Sequence, residues 1–338
     1  MVKKFFLWLL ISIFSAALFL YYVAFTSNVL RTTEMIVEPG TGIDKLADQL
    51  APVLKHKKTF LLTAKLKRFK RPMPGKYHIS ANSTNNDLIN LLRSGRQTQV
   101  ELIFNNIPSL SELAGKVSRV IAPDSLAILT VMKDENFLKA KGFTIETALL
   151  MYIPNTYKFY YFTSPEIFRE RMWKEYRRFW NKTRSAKAKR LNLSPVEVGI
   201  LASIVQKETN IPAEKPVIAG VYLNRLRRGM KLQADPTVVF AYRKATGDTT
   251  VIRRVLNKHL AIDNPYNTYM YSGLPPGPIT MPDISTIDAV LNAEQHDYLY
   301  FVADPANPGH HLFAKTLSEH QRNAARYRSL LNRRKIMK

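Results

Sequence analysis

Residues 194–209 read SPVEVGILASIVQKET, and this stretch predicts a core helix with an ionisable side chain where an apolar one belongs. Ser194 as a hydroxyl N-cap, Pro195 at the first helical position and Glu197 three residues after the serine form a capping-box start. Leu201, Ile204, Val205 and Glu208 then recur at helical spacing and share one face, while Gln206 and Lys207 turn to other faces. Three of the four are core residues and the fourth is a glutamate. A carboxylate on a buried stripe near a helix C-terminus is disfavoured as an anion by desolvation and by the negative end of the helix dipole. Both effects raise its pKa, as a general acid working near neutral pH requires. Taken alone, the pattern equally describes a stripe-edge glutamate in a salt bridge.

The chain around this stretch is long enough to bury a substantial core and to hold two or more domains, at 338 residues. Its 46% hydrophobic and 22% charged content is that of a folded protein. The 50 Lys and Arg against 26 Asp and Glu give a net charge of +24, which suggests an anionic partner such as nucleic acid, a membrane surface or an acidic polymer. The absence of cysteine excludes disulfides and thiolate metal sites.

At the N-terminus, Lys3 and Lys4 precede residues 5–25, an uncharged run of 21 residues. As a helix it spans about 31 Å, close to the hydrocarbon core of a bilayer. Tyr21 and Tyr22 sit at its outer end, where interfacial rings are common. The lysines ahead of the run place residues 1–4 in the cytoplasm and the remainder across the membrane, and an inner-membrane, periplasm-facing location is expected. A cleaved signal peptide is the competing reading, although the run exceeds the roughly 7–15-residue apolar region of such peptides.

Residues 32–104 read as a small α+β module. A strand is expected at 35–37, a helix at 43–54, a strand at 75–79, a helix at 86–92 stopped by Gly95, and a strand at 100–104. Residues 55–76 carry nine Lys or Arg and no acid, interleaved with Phe60, Leu61, Leu62, Leu66 and Phe69. That pattern is a core-facing helix with a solvated basic face, or a contact with an anionic membrane or wall polymer. The remainder, 105–338, forms the larger domain. Residues 111–141 are expected to be helical, and a long helix rich in Arg, Lys and aromatics is expected over 166–190. Basic and aromatic interleaving also grips single-stranded nucleic acid. No nucleic-acid motif accompanies it, and a chain facing outward would not meet that partner, so no nucleic acid is expected.

Downstream lie a helix over 216–228, the segment Leu232-Gln233-Ala234-Asp235-Pro236-Thr237, and the segment Pro265-Tyr266-Asn267-Thr268-Tyr269. The loop GLPPGPI at 273–279 follows, its three prolines and two glycines forming a rigid wall. Tyr266, Asn267, Thr268 and Tyr269 supply amide, hydroxyl and flat ring, the groups with which sugars are held, although such a loop also serves simply as a turn. A helix over 288–292, a strand over 298–302 and a helix over 319–331 before a basic tail close the chain. The histidines 259, 296, 310, 311 and 320 are scattered with no HExxH pair, and no metal is expected. Hydrolase-elbow, P-loop and dinucleotide fingerprints are absent, and no cofactor is expected. A general acid/base carboxylate beside a sugar-like groove is what remains.

LASIVQKE at 201–208, LQADPT at 232–237, YNTY at 266–269, GLPPGPI at 273–279 and YLYFVA at 298–303 occur in the order of the YceG-like endolytic murein transglycosylases, which the chain resembles from about residue 152 to His320. His311-Leu312-Phe313 and Glu319-His320 extend the match. The resemblance departs at Met151 to Asn155, where many members show a Glu-Gly…Phe-Pro-Asp pattern, and at Gln206, a position often occupied by glutamate. It implies an α+β fold with a membrane anchor, a LysM-like small module and a lysozyme-like catalytic domain. It implies Glu208 as the catalytic residue of an endolytic transglycosylase that acts on peptidoglycan glycan strands. Gln233, Asp235, Tyr266, Asn267, Thr268 and Tyr269 would line the substrate site, with Asp235 as the second acid in a structural or orienting role. Cell-wall synthases are conceivable partners. A non-catalytic peptidoglycan-binding scaffold and an inverting hydrolase that uses Asp235 to activate water are the competing functions.

Overall fold

The computed structural model describes residues 2–248, 250–252 and 254–333, so the basic tail expected after the last helix lies outside the described residues. The chain divides into two units. One comprises residues 1–102 with 119–123 and 157–163; the other comprises 103–118, 124–156 and 164–338.

The first unit begins with α1 (Val2–Phe25), a helix long and apolar enough to cross a membrane, with only Val23 buried. It is joined directly to folded structure. The Val23 carbonyl accepts from the Asn85 amide at 2.9 Å and the Thr63 hydroxyl at 3.5 Å. Beyond it, Ser27 and Val29 form antiparallel bridges to Thr84 and Leu54. The module has β1 (Thr33–Val37), α2 (Ile43–Leu50), α3 (Lys57–Leu66), β2 (Gly75–Ile79), α4 (Asn85–Ser94) and β3 (Val100–Phe104). β1 and β2 pair antiparallel, with Met35 opposite Tyr77, and helices cover them through Leu46, Leu50, Phe60, Leu88, Ile89 and Leu92, all buried. Two helices are shorter than their sequence patterns suggest. Pro52 has no N–H to continue α2, which tightens into a 3-10 turn at Ala51–Val53. α3 stops where Arg68 takes a left-handed φ of 50°.

The second unit is mainly helical. The helical stretch expected over 111–141 consists of α5 (Leu110–Ser118), α6 (Ser125–Met132) and α7 (Glu135–Ala140). The Asp124 and Asp134 side chains each cap a new start, accepting from the backbone N–H three residues on. β4 (Asn155–Phe159), of which residues 157–159 belong to the first unit, pairs with β3. In the second unit the single helix expected over 166–190 is broken into α8 (Pro165–Phe179) and α9 (Lys182–Arg190). Asn181 takes extended backbone angles and its side-chain oxygen accepts from Arg184 N at 3.0 Å, so a local cap outcompetes helix continuation. Arg184 then grips Asp288 with two bonds of 2.9 and 3.0 Å.

α10 (Pro195–Glu208) is the centre of this unit. Ser194 and Glu197 make the expected capping box. The expected single apolar stripe is too narrow, because every residue from Val198 to Val205 is buried. Neighbours on several sides account for this: α9, α11 (Lys215–Arg227), α12 (Asp235–Thr246) and α14 (Ile284–Leu291) all pack on it. The short α13 (Asn257–Leu260) lies against α12. Ser203, wholly buried within α10, accepts from Ile279 N at 3.0 Å and ties the proline-rich loop to the helix. β5 (Tyr300–Ala303) and β6 (His311–Ala314) form an antiparallel hairpin that packs against α15 (Leu317–Arg333).

Candidate active site

Glu208 is the last residue of α10, and its carboxyl group is half-buried at the edge of the core. On α11 the ring of Tyr222 is buried, and its hydroxyl donates to Glu208 Oε1 at 2.5 Å. Three residues further along the same face, Arg225 is buried too. Its guanidinium donates to the carbonyls of Leu299 and Leu232, each at 2.6 Å, and lies 5.2 Å from the centre of the Tyr300 ring. No carboxylate pairs with it among the described residues, so its positive field reaches the site unneutralised. Asp235 opens α12, exposed, and accepts from the Tyr269 hydroxyl at 2.6 Å.

These groups set the proton affinity of Glu208. Burial is the largest influence and favours the neutral acid; the Tyr222 hydrogen bond opposes it, the Asp235 charge supports it and the Arg225 charge opposes it. The outcome is a carboxyl pushed up to about 7. Such a group is protonated often enough near neutrality to donate and ionised often enough to accept. The Tyr269 phenol is held well above its usual range by burial, by its bond to Asp235 and by the charges of Asp235 and Glu208, so it stays a donor.

A second carboxylate supports the chain just past Glu208. Glu214, buried, accepts from the Thr209 hydroxyl at 3.2 Å, from His311 N at 2.8 Å and lies 2.8 Å from His311 Nδ1. Burial alone would raise its pKa. The His311 bonds and charge, with the Thr209 bond, outweigh that and hold it below its usual range. His311 packs edge-on against Phe301, and Phe301 against Tyr222. Glu208, Tyr222, Phe301, His311, Glu214 and Thr209 thus close a ring.

The residues anticipated as substrate-binding divide into two groups. Asp235 and Gln233 are exposed and Tyr269 is partly so; Gln233 takes a left-handed φ of 49° just ahead of α12. Tyr266, Asn267 and Thr268 face inward. The Asn267 amide donates to Leu260 and Ile262 carbonyls at 2.9 Å each, and its oxygen accepts from Tyr269 N at 3.0 Å. Thr268 accepts from Ala234 N at 3.0 Å and shares a hydrogen with Thr237 at 2.7 Å. The Tyr266 ring packs on Phe240 at 4.7 Å. These three build the loop that carries Tyr269. Gln206 is a strut: its oxygen accepts from Asp283 N at 2.6 Å. Tyr222, Arg225 and Glu214 escaped the sequence reading, although the Tyr–Arg pair at i, i+3 on one helix was its available signal. Among the described residues, no group of three or more His, Asp or Glu side chains could hold a metal ion.

A single tuned carboxylic acid on a buried helix, flanked by exposed hydrogen-bonding side chains, is the equipment of a glycan-cleaving transglycosylase. Curated relatives agree with that class. The endolytic murein transglycosylase of Bacillus subtilis (strain 168) is 29% identical over 321 residues, covering 89% of this chain and 86% of that protein. The enzyme of the same name from Streptococcus pneumoniae (strain D39) is 29% identical over 322 residues, covering 86% of this chain but 56% of that protein. The 2.6 Å crystal structure of a yceG-like protein, lmo1499, from Listeria monocytogenes has a TM-score of 0.56 at 26% identity, over 86% of this chain and 98% of that one. The YceG-like family model matches residues 35–326, and the chain belongs to that family, an enzyme of the lytic transglycosylase class.

Proposed function

We propose that this enzyme cleaves the MurNAc–GlcNAc β-1,4 bond inside peptidoglycan strands without water, leaving 1,6-anhydroMurNAc ends. The observation that carries the reading is the Glu208 carboxyl at about 7, held by one phenol. Protonated Glu208 donates to the leaving glycosidic oxygen. The carboxylate left behind accepts the proton of the MurNAc C6 hydroxyl as that oxygen closes on C1. Bonds and protons balance: the C1–O4 bond breaks, the C1–O6 bond forms, and the proton given in the first half is regained in the second. Because the nucleophile belongs to the substrate, one carboxylate suffices, unlike the paired carboxylates of ordinary glycosidases. Tyr222 stabilises the ionised form between the two transfers, and Asp235, Tyr269 and Gln233 orient the sugar.

In this reading α1 anchors the chain in the inner membrane with its N-terminus in the cytoplasm. The 32–104 module is LysM-like and grips glycan, and the 105–338 domain is a lysozyme-like catalytic domain. Trimming or ending of nascent strands beside cell-wall synthases is the role that suits such an enzyme. A second reading has one observation in its favour. Asp235 is an exposed carboxylate whose charge acts on Glu208, and an inverting hydrolysis would use it to activate a water. Digestion of purified peptidoglycan by the full chain, with products identified by mass, decides. Anhydro ends that vanish in Glu208→Gln support the proposal, and reducing MurNAc ends support the second reading. Uncut glycan with retained binding would leave a non-catalytic scaffold.

A further inference from the structure

The end of α1 and the helix α3 run side by side in opposite directions. Asn28, just past α1, holds the start of α3: its oxygen accepts from His56 N at 2.8 Å and its amide donates to His56 O at 3.1 Å. Val23, further back toward the apolar run, is met by Thr63, further along α3. Advancing along α3 therefore means descending along α1. Leu66 lies three residues beyond Thr63 on the same helical face, roughly 4.5 Å lower. It is half exposed, as are the Tyr21, Tyr22 and Phe25 rings at the same end of α1.

Around this end of α3 the surface is cationic. Lys65, Arg68, Lys70 and Arg71 are exposed, and none has an ion pair among the described residues. Arg93 lies over the Phe69 ring and donates to the Lys67 carbonyl at 2.6 Å, fixing the turn. Two acids on the neighbouring helices are already engaged: Asp48 pairs with Lys57, and Asp87 closes the capping box of α4.

We propose that residues 65–71 form a second membrane contact, with Leu66 in the interfacial layer and Lys65, Arg68, Lys70 and Arg71 on the phosphates of anionic phospholipids. The inference rests on α1 spanning the membrane. Charge and continuity commit it to lipid: an exposed leucine ringed by unpaired cations, beside the exit of an apolar helix, matches the boundary between acyl chains and headgroups. With this contact the module meets the bilayer at two points, through α1 and through residues 65–71.

The chain has no cysteine, so Leu66→Cys offers one labelling site for a polarity-sensitive fluorophore. The full chain is reconstituted in phosphatidylcholine vesicles with or without phosphatidylglycerol, floated on a density gradient, and quenched with acrylamide. With phosphatidylglycerol present, a blue-shifted label and a quenching constant about threefold lower are expected, reversed by high salt and by Arg68→Glu with Lys70→Glu while the protein still floats. Failure to float would refute the membrane-spanning reading of α1. A floated protein whose label stays fully accessible overturns the contact and leaves α1 as the anchor. Equal protection in phosphatidylcholine alone removes the anionic headgroup from the proposal, and protection that needs added wall polymer assigns the surface to that polymer.

Discussion

The hydroxyl of Tyr222 and the carboxyl of Glu208 meet at 2.5 Å across the join of α10 and α11. The phenol is itself pushed far above its usual range, by burial and by the Glu208 charge, and does not compete for the shared proton. It is a permanent donor to a group that, in the proposed reaction, changes its charge twice per cycle. Replacing Tyr222 by Phe removes the influence that most lowers the Glu208 pKa. The basic limb of the pH–rate profile should move to higher pH while kcat at pH 7 falls about tenfold or more. An unmoved limb in the Phe variant would refute the assignment.

Asp235→Asn should do the opposite to the limb. The Asp235 charge raises the Glu208 pKa, so its removal lets Glu208 ionise earlier and moves the limb to lower pH. The product mixture gives a second measure: anhydro ends persist if Asp235 only orients the sugar, and reducing ends disappear if it activates water.

Glu208→Gln should abolish cleavage and also stabilise the protein above neutrality. The sign follows from linkage. The folded carboxyl titrates at about 7 and the unfolded one at 4.5, so between these values the unfolded chain sheds its proton first. Glu208 thus costs stability as pH rises from 4.5, and the cost levels off above 7. Partial exposure limits it to about 2 kcal/mol. Thermal melts of the wild type and the Gln variant should coincide at acid pH, with the variant melting higher by a few degrees at pH 8. Melts that run parallel at every pH would rule this out.

Glu214→Gln tests the support behind the acid. The amide still reaches Thr209 and the His311 N–H but loses the charge that faces His310 and His311. We expect kcat to fall about three- to tenfold with KM little changed, since the group spends its hydrogen bonds on Thr209 and His311 and holds the segment after Glu208. Glu214→Asp should recover less than Gln, because the shorter side chain cannot span Thr209 and His311 together. A change confined to KM would place Glu214 among the substrate contacts instead.

The sequence exposed the helix that carries the acid because its signals are local. Ser194, Pro195 and Glu197 announce a start within four residues, and Glu208 stands out against Leu201, Ile204 and Val205. Breaks inside helical patterns were harder to see, since the caps at Asp124, Asp134 and Asn181 act through one side-chain bond each. The Tyr222, Arg225, Glu214 and His311 roles depend on contacts that span up to 97 residues of sequence. Most of the YNTY segment is buried. Its polar side chains look like sugar ligands in a string of letters, yet Asn267 and Thr268 spend their hydrogen bonds on backbone that a one-dimensional reading cannot place.

Arg225 has a consequence for how the enzyme could respond to its surroundings. Held by the carbonyls of Leu299 and Leu232, its guanidinium stands as a fixed positive reference that draws the Glu208 pKa down. A change of pH acts on the proton that Glu208 exchanges, while the position of Arg225 is set by backbone carbonyls. The window of working pH is therefore written into a handful of carboxyl groups, and a lysine or histidine at 225 would hand part of that control to the environment.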